Sequence, residues 1–144
     1  MSAAANPGFR LLPDVTPENE HFWRGGAAGE LRFLHCAACD FYVHPPAPRC
    51  PRCLSATLAV RAASGRARLH TFTVNHQPWI PGFDPPYVVA IVELVEQPSL
   101  RLTTNLVGCA PEAARIGMAL RVVFEEQAQG IFLPLFEPDP GSAA

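Results

Sequence analysis

Two C-x2-C pairs, Cys36-Ala-Ala-Cys39 and Cys50-Pro-Arg-Cys53, stand ten residues apart and constrain this chain more than any other feature in it. Each pair places two sulfurs on one tight turn whose backbone amides point at them, and two facing turns complete a tetrahedral four-sulfur site. Soft thiolates in closed tetrahedral geometry favour zinc, with iron as the rival ion. Four thiolates fill the coordination shell and leave no position for water, so the expected metal holds structure and does no chemistry. Short strand-like pieces flank the knuckles, LRFLH before and TLAV after, while Pro45, Pro46, Pro48 and Pro51 keep the connector stiff and non-helical. So short a segment cannot build a core of its own, and the metal substitutes for one. His35 and His44 flank the knuckles and read as a strand residue and an outer polar group, with exchange for a cysteine ligand as the other option.

The remainder reads as mainly β. Candidate strands are 67–76, 86–95, 100–107, 119–126 and 131–136, with Pro98-Ser99, Gly117 and Gln129-Gly130 as punctuation. In 100–107, Leu100, Leu102, Thr104 and Leu106 alternate with Arg101, Thr103 and Asn105, as a strand with one buried face requires. A piece from Pro111 to Arg115 suits a single helical turn, and five short strands with such an insert predict a five-stranded Greek-key barrel of the OB type. Ahead of the ribbon a short N-terminal helix is expected: Thr16 to cap it, Pro17 in the first turn, Glu18 and Glu20 at its positive end, Gly25-Gly26 to stop it. Its apolar edge, Phe22-Trp23, needs a surface to dock on. The expected divisions are a tail and docking helix over 1–30, a zinc ribbon over 31–62, the barrel over 63–137 and a tail over 138–144.

Composition narrows the function. With 49% hydrophobic and 17% charged residues the chain can bury a core. The formal charge is −2, and all eleven basic residues are arginine. Such a balance gives no general attraction to nucleic acid or to anionic membrane. Arg49, Arg52, Arg61, Arg66 and Arg68 nonetheless form a loose basic cluster, which keeps a single-strand nucleic-acid-binding module as the alternative reading. The N-terminal MSAAANPGFRLLPD lacks a basic-then-apolar leader pattern, no run approaches 18 apolar residues, and paired cysteine knuckles suit a reducing compartment. A soluble, cytoplasmic protein is expected.

Enzyme motifs are missing: there is no G-x-S-x-G, P-loop, G-x-G-x-x-G or H-E-x-x-H. Glu93, Glu96, Glu125 and Glu126 read as solvated strand-end charges, and His70 and His76 as part of a polar strand face. Cys109 has no partner cysteine nearby and reads as a partly buried thiol. Loop 77–86 is more informative. Trp79, Ile80 and Phe83 are large apolar groups on a proline-stiffened loop, which mark either a binding surface or a plug for the barrel end.

Taken together these residues resemble the DUF35 family. The resemblance is carried by Phe22-Trp23, Leu31, Cys36-x2-Cys39, Pro45-Pro46, Cys50-Pro51-x-Cys53, Ser64-Gly65 and Thr71-Phe72-Thr73. It continues through Pro86-Tyr87-Val88-Val89-Ala90, Leu102-Thr103-Thr104-Asn105, Arg115-Ile116-Gly117-Met118 and Pro134-Leu135-Phe136, covering residues 14 to 137. It implies a rubredoxin-like zinc ribbon, with one structural zinc on Cys36, Cys39, Cys50 and Cys53, joined to an OB-fold. It also implies a non-catalytic subunit that associates with thiolase-like proteins acting on acyl-CoA, in an expected heterotetramer. Such partners include acyltransferases and the lipid-transfer-protein-like aldolases that cleave steroid side-chain CoA thioesters by a retro-aldol reaction. MaoC-like hydratases are a further class of partner. Phe22, Trp23, Trp79, Ile80 and Phe83 are the expected partner or acyl-CoA contacts. The all-arginine composition suits a high-GC actinobacterial setting. Two positions depart from the family pattern: Asp40 and Leu54 stand where such knuckles often carry glycine, and leucine tolerates left-handed backbone poorly.

Overall fold

The computed structural model describes residues 10–141. Its first regular element, α1 (Glu20–Arg24), is shorter than the sequence predicts and passes directly into a 3₁₀ turn, Gly25–Ala28. Thr16 does not cap this helix. It heads a separate turn, its carbonyl accepting from the amides of Asn19 and Glu20 at 3.2 and 2.9 Å while its own amide donates to Asn19 Oδ1 at 2.7 Å. Gly25-Gly26 do end the helix, Gly25 as its C-cap, and the chain runs on as the tighter 3₁₀ turn, with Gly25 hard against the Glu30 carbonyl. Gly26 lies so near Phe132 and Phe124 that a Cβ would collide with both rings. Gly29, left-handed at φ 70°, closes the 3₁₀ turn.

Three strands then form an antiparallel sheet: β1 (Leu31–Cys36), β2 (Phe41–Val43) and β3 (Leu58–Ala63), in the order β2-β1-β3. β2 is not anticipated in the sequence reading, which treats the stretch between the knuckles as connector. It forms because the chain leaving the first knuckle doubles back, pairing His35 with Tyr42 and Leu34 with Val43. The pleat sorts side chains cleanly. Leu31, Phe33, His35 and Tyr42 face the rest of the protein, and Leu34, Cys36, Val43 and Val60 face the other way.

The turn from β3 into the next strand uses Gly65, at φ 79° and hard against Val122, where no Cβ would fit. The remaining strands are β4 (Arg66–Asn75), β5 (Tyr87–Leu94), β6 (Arg101–Leu106), β7 (Ala119–Glu126) and β8 (Phe132–Pro138). Their ends lie within two residues of those expected. They close in the order β4-β5-β6-β8-β7, with β7 returning to β4 and β6 meeting β8 in parallel. Full closure removes the barrel's edges. The 3₁₀ turn Pro111–Ala113 falls between β6 and β7, where a single helical turn is expected. β5 shows why the barrel forms here: Val88, Ala90, Val92 and Leu94 are all buried, alternating with less buried neighbours. No helix among the described residues is long and apolar enough to cross a membrane.

Ribbon and barrel share one core. Phe22 of α1 and Leu31, Phe33 and Tyr42 of the ribbon pack in the same buried cluster as Leu69, Val92, Leu102, Leu120 and Phe136 of the barrel. One polar contact reinforces this junction. Gln97, in the β5–β6 turn, accepts from the Tyr42 amide at 2.8 Å and donates to the Tyr42 carbonyl at 3.0 Å. Its side-chain amide thus replaces a neighbouring strand along the outer edge of β2.

Candidate metal centre and docking loop

The two knuckles are built alike. In the first, the Asp40 amide donates to the Cys36 carbonyl at 2.8 Å; in the second, the Leu54 amide donates to the Cys50 carbonyl at 2.8 Å. Both closing residues are left-handed, Asp40 at φ 57° and Leu54 at φ 66°. Leu54 therefore adopts the backbone that its sequence disfavours, at a cost of roughly 1–2 kcal/mol. The geometry of the second knuckle overrides the residue's preference, and the displaced side chain stands 69% exposed.

The four sulfurs lie within 4.8 Å of one another, with Cys36 to Cys53 and Cys39 to Cys50 both at 3.6 Å. A zinc–sulfur bond of about 2.3 Å gives a tetrahedron with edges of roughly 3.8 Å, so the donor set and its spacing fit one tetrahedral ion. Cys36 and Cys50 are buried, Cys39 half-buried and Cys53 exposed. Burial opposes ionisation of Cys50, but the backbone amides of Cys53 and Arg52 outweigh it and hold the thiol down to about 7. Cys39 is pushed up to about 12, first by burial and then by the other three sulfurs around it. Four thiolates converging on one point need a cation between them, and a divalent metal supplies it. Val43, Leu34, Phe41, Ala47 and Leu58 wrap the sulfurs in a small apolar shell.

Neither flanking histidine joins the sulfurs. His35 bonds through Nε2 to Asp40 Oδ1 at 2.7 Å, tying β1 to the residue that closes the first knuckle. His44 stacks on Phe22 with ring centroids 4.8 Å apart, and its Nδ1 is buried without a partner among the described residues. Burial, and secondarily the nearby His21, hold His44 down to about 4. Because its folded value lies below the unfolded one near 6.5, the unfolded chain takes up the proton first. Its contribution is therefore present above about pH 6.5 and disappears as pH falls toward 4. Acidification from pH 7 to 5 should cost the wild type about 2 kcal/mol through this residue. Melting curves should then show the wild type losing about 2 kcal/mol relative to His44→Phe between pH 7 and pH 5. Parallel curves would show that His44 does not carry the acid sensitivity.

Loop 77–86 neither plugs the barrel nor extends freely. Trp79 is 71% exposed, and its indole donates to Asn75 Oδ1 at 2.9 Å. Phe83 meets Tyr87 edge-on at 4.3 Å, and the Arg10 guanidinium sits 4.8 Å above the Phe83 ring. Arg10 is fastened in turn by Glu125 at 2.6 Å and Asn105 Oδ1 at 2.8 Å. Together Arg10, Ile80, Phe83, Tyr87, Val89 and Leu133 line a groove of about 350 Å³ on the barrel wall. The sequence reading misses Arg10, since nothing local marks it as a partner of loop 77–86. Trp23 is partly buried beside the core, but Phe22 is only 5% exposed. The expectation that Phe22 is a surface contact gives way: its ring docks on this chain's own ribbon and barrel.

No described hydrogen bond joins a Ser, Thr or Cys to a histidine; His35 is bonded to Asp40 at 2.7 Å and meets Arg61 at 3.1 Å. Cys109 is half-buried, with its thiol raised by burial. Four of the five arginines proposed as a basic cluster, all but Arg66, are engaged locally. Arg52 lies over Phe41, Arg61 over Tyr42, and Arg49 and Arg68 donate to the carbonyls of Leu54 and Gly117.

Residues 23–59 match the model of the ChsH2 rubredoxin-like zinc ribbon domain, and residues 60–125 that of the ChsH2 C-terminal OB-fold domain. A probable enoyl-CoA hydratase alpha subunit of Thermomonospora curvata is 38% identical over 130 residues, which is 90% of this chain and 40% of that protein. A 3-oxo-4,17-pregnadiene-20-carboxyl-CoA hydratase alpha subunit of Mycobacterium tuberculosis is 33% identical over 119 residues, 83% of this chain and 37% of that one. The chain thus spans about two fifths of the length of these two relatives. A DUF35 domain-containing scaffold protein of Methanothermobacter thermautotrophicus is 36% identical over 102 residues, 67% of this chain and 75% of its own. Among solved structures, a chain of an Ltp2-ChsH2(DUF35) aldolase superposes with a TM-score of 0.79 at 38% identity, covering 88% of this chain and 98% of that one. With both of its parts matched in order, the chain belongs to the DUF35 family, in the form that joins a rubredoxin-like zinc ribbon to an OB-fold barrel.

Proposed function

We propose that this chain is a non-catalytic subunit of an acyl-CoA enzyme, completing the assembly of a thiolase-like, lipid-transfer-protein-like aldolase. The observation that carries the reading is its likeness, across nearly the whole of the related chain, to a component of an Ltp2-ChsH2(DUF35) aldolase. The scaffold relatives support a role without its own chemistry. Zinc, held by Cys36, Cys39, Cys50 and Cys53, fixes the ribbon on the barrel. The partner performs the carbon–carbon cleavage of a CoA thioester, and the name of the mycobacterial relative favours a steroid side chain as the acyl group. The two hydratase relatives favour a MaoC-like hydratase as a second associate. The partner dimerises, giving a heterotetramer with two copies of this chain.

In this reading the exposed Trp79, with Ile80 and Phe83 behind it, meets the partner beside its acyl-CoA entrance, and Trp23 lies at the margin. Aromatic side chains at the centre of an interface commonly contribute 2 kcal/mol or more. Trp79→Ala and Phe83→Ala should each weaken the complex by about thirtyfold and leave zinc content unchanged. Affinity purification from the host, followed by titration of the co-purifying enzyme, tests both points. A monomeric chain beside its thiolase-like neighbour at micromolar concentration would refute the reading; an unchanged affinity would remove the loop from the interface. Salt-sensitive capture of a labelled oligonucleotide would point instead to the nucleic-acid module.

A further inference from the structure

The three-stranded ribbon sheet has two edges, and the protein treats them differently. The β2 edge is covered by Gln97, whose amide makes both hydrogen bonds that a neighbouring strand would make to Tyr42. Among the described residues β3 pairs only with β1, and no backbone hydrogen bond reaches its outer side at residues 59–62. Open edges are normally guarded by charge, proline or a bulge. β3 carries Leu-Ala-Val-Arg-Ala-Ala, and its single charge does not guard it. Arg61 turns to the barrel-side face, where it lies 3.6 Å from Asp40 and over the Tyr42 ring. The edge is therefore six residues long and regular, and nothing among the described residues protects it.

Beside it lies a groove of about 880 Å³ on the opposite, metal-bearing face. Its floor is Leu34 and Val60, paired across β1 and β3, and Val60 is half exposed. Pro17, Pro46 and Pro48 are among its lining residues, so the walls are stiff. Glu18, Glu20, His21 and Arg32 also line it; Arg32 is neutralised by Glu30 at 2.7 Å, whereas no described ion pair engages Glu18 or Glu20. An apolar floor and two carboxylates without a described ion pair line this groove, and Val60 belongs both to its floor and to the free strand edge.

We propose that the outer edge of β3 is a strand-addition site for an extended segment of a protein partner, with alternate residues reading apolar, basic, apolar toward the groove. The added strand bonds its backbone along β3, as in other edge-recognition modes. Its apolar side chains flank Val60, and its lysine or arginine reaches into the groove toward Glu18 and Glu20. This surface differs from loop 77–86, lies on the ribbon rather than the barrel, and does not depend on acyl-CoA chemistry.

The test uses the full chain and three synthetic peptides, followed by amide shifts in nitrogen-15 NMR. The first is Thr-Val-Thr-Lys-Thr-Val-Thr with blocked ends; the second has Glu in place of Lys; the third has Pro in place of the third Thr. The lysine peptide is expected to shift and protect amides of β3, with binding that weakens as salt rises. The glutamate peptide should bind at least fivefold more weakly, and the proline peptide should lose the protection because it cannot complete the ladder. Glu18→Gln with Glu20→Gln, both exposed positions, should abolish the preference for lysine over glutamate, and Val60→Lys should abolish binding of the lysine peptide. Absence of β3 shifts at about 2 mM lysine peptide, or equal binding of all three peptides, would overturn the proposal. Because the probe is a peptide, that failure leaves the aldolase-subunit reading intact, and failure of that reading leaves this one testable.

Discussion

Cys50→Ser should strip the ion from the protein and unfold the ribbon. Cys50 is fully buried among the other sulfurs, and a serine there offers a hard, protonated oxygen where a soft thiolate is needed. Structural zinc sites of this kind contribute on the order of 10–16 kcal/mol of apparent binding energy at neutral pH in small peptides, so loss of one ligand removes most of what orders the knuckles. Metal analysis should fall from one ion per chain to near zero. Hydrogen exchange should show β1 to β3 losing protection first, with the barrel-interior positions Ala90 and Val92 retaining it longest. Cys36→Ser, at the equally buried first position of the other knuckle, should behave the same way. An unchanged metal content in either variant would contradict the assignment of these four cysteines.

Phe33→Ala should cost about 3–5 kcal/mol without releasing the metal. Phe33 is completely buried on the barrel-facing side of β1, with Phe22, Tyr42 and His44 at centroid distances of 6.0, 6.2 and 5.3 Å. Truncation leaves a cavity where three elements meet, and none can collapse into it without moving the others. The melting temperature should drop by about 10–20 °C while zinc stoichiometry stays at one. This result separates the two supports of the ribbon: sulfur chemistry on one face of β1, packing on the other. A drop of only a degree or two would mean that ribbon and barrel hold each other far less tightly than their shared core implies.

What could be read from the sequence is what repeats locally. The knuckles announce themselves by spacing, and β5 and β6 by strict alternation, because both signals lie within a few consecutive residues. The partner of each strand does not. Gln97 lies fifty-five residues from Tyr42, and Arg10 ninety-five from Asn105, so neither contact leaves a local trace. β2 was hidden because three residues are too few to show a period, and their strand character comes from β1 alongside. α1 was placed too early because Thr16 and Asn19 form a turn of their own, which local capping preferences cannot distinguish from a helix start. Leu54 shows the converse. Its intrinsic preference is plain from the sequence, and the knuckle overrides it.

The Gln97 clamp bears on how portable the ribbon is. A designer, or a recombination event, that cut the chain between β3 and β4 and joined the ribbon to another barrel would carry over the cysteines and the metal. It would leave behind the one side chain that closes the β2 edge. The transplanted sheet would then expose both edges instead of one and tend to stack with its own copies. Exchange between family members is therefore safest when the β5–β6 turn travels with the ribbon, as a single inherited unit split in sequence but joined in space.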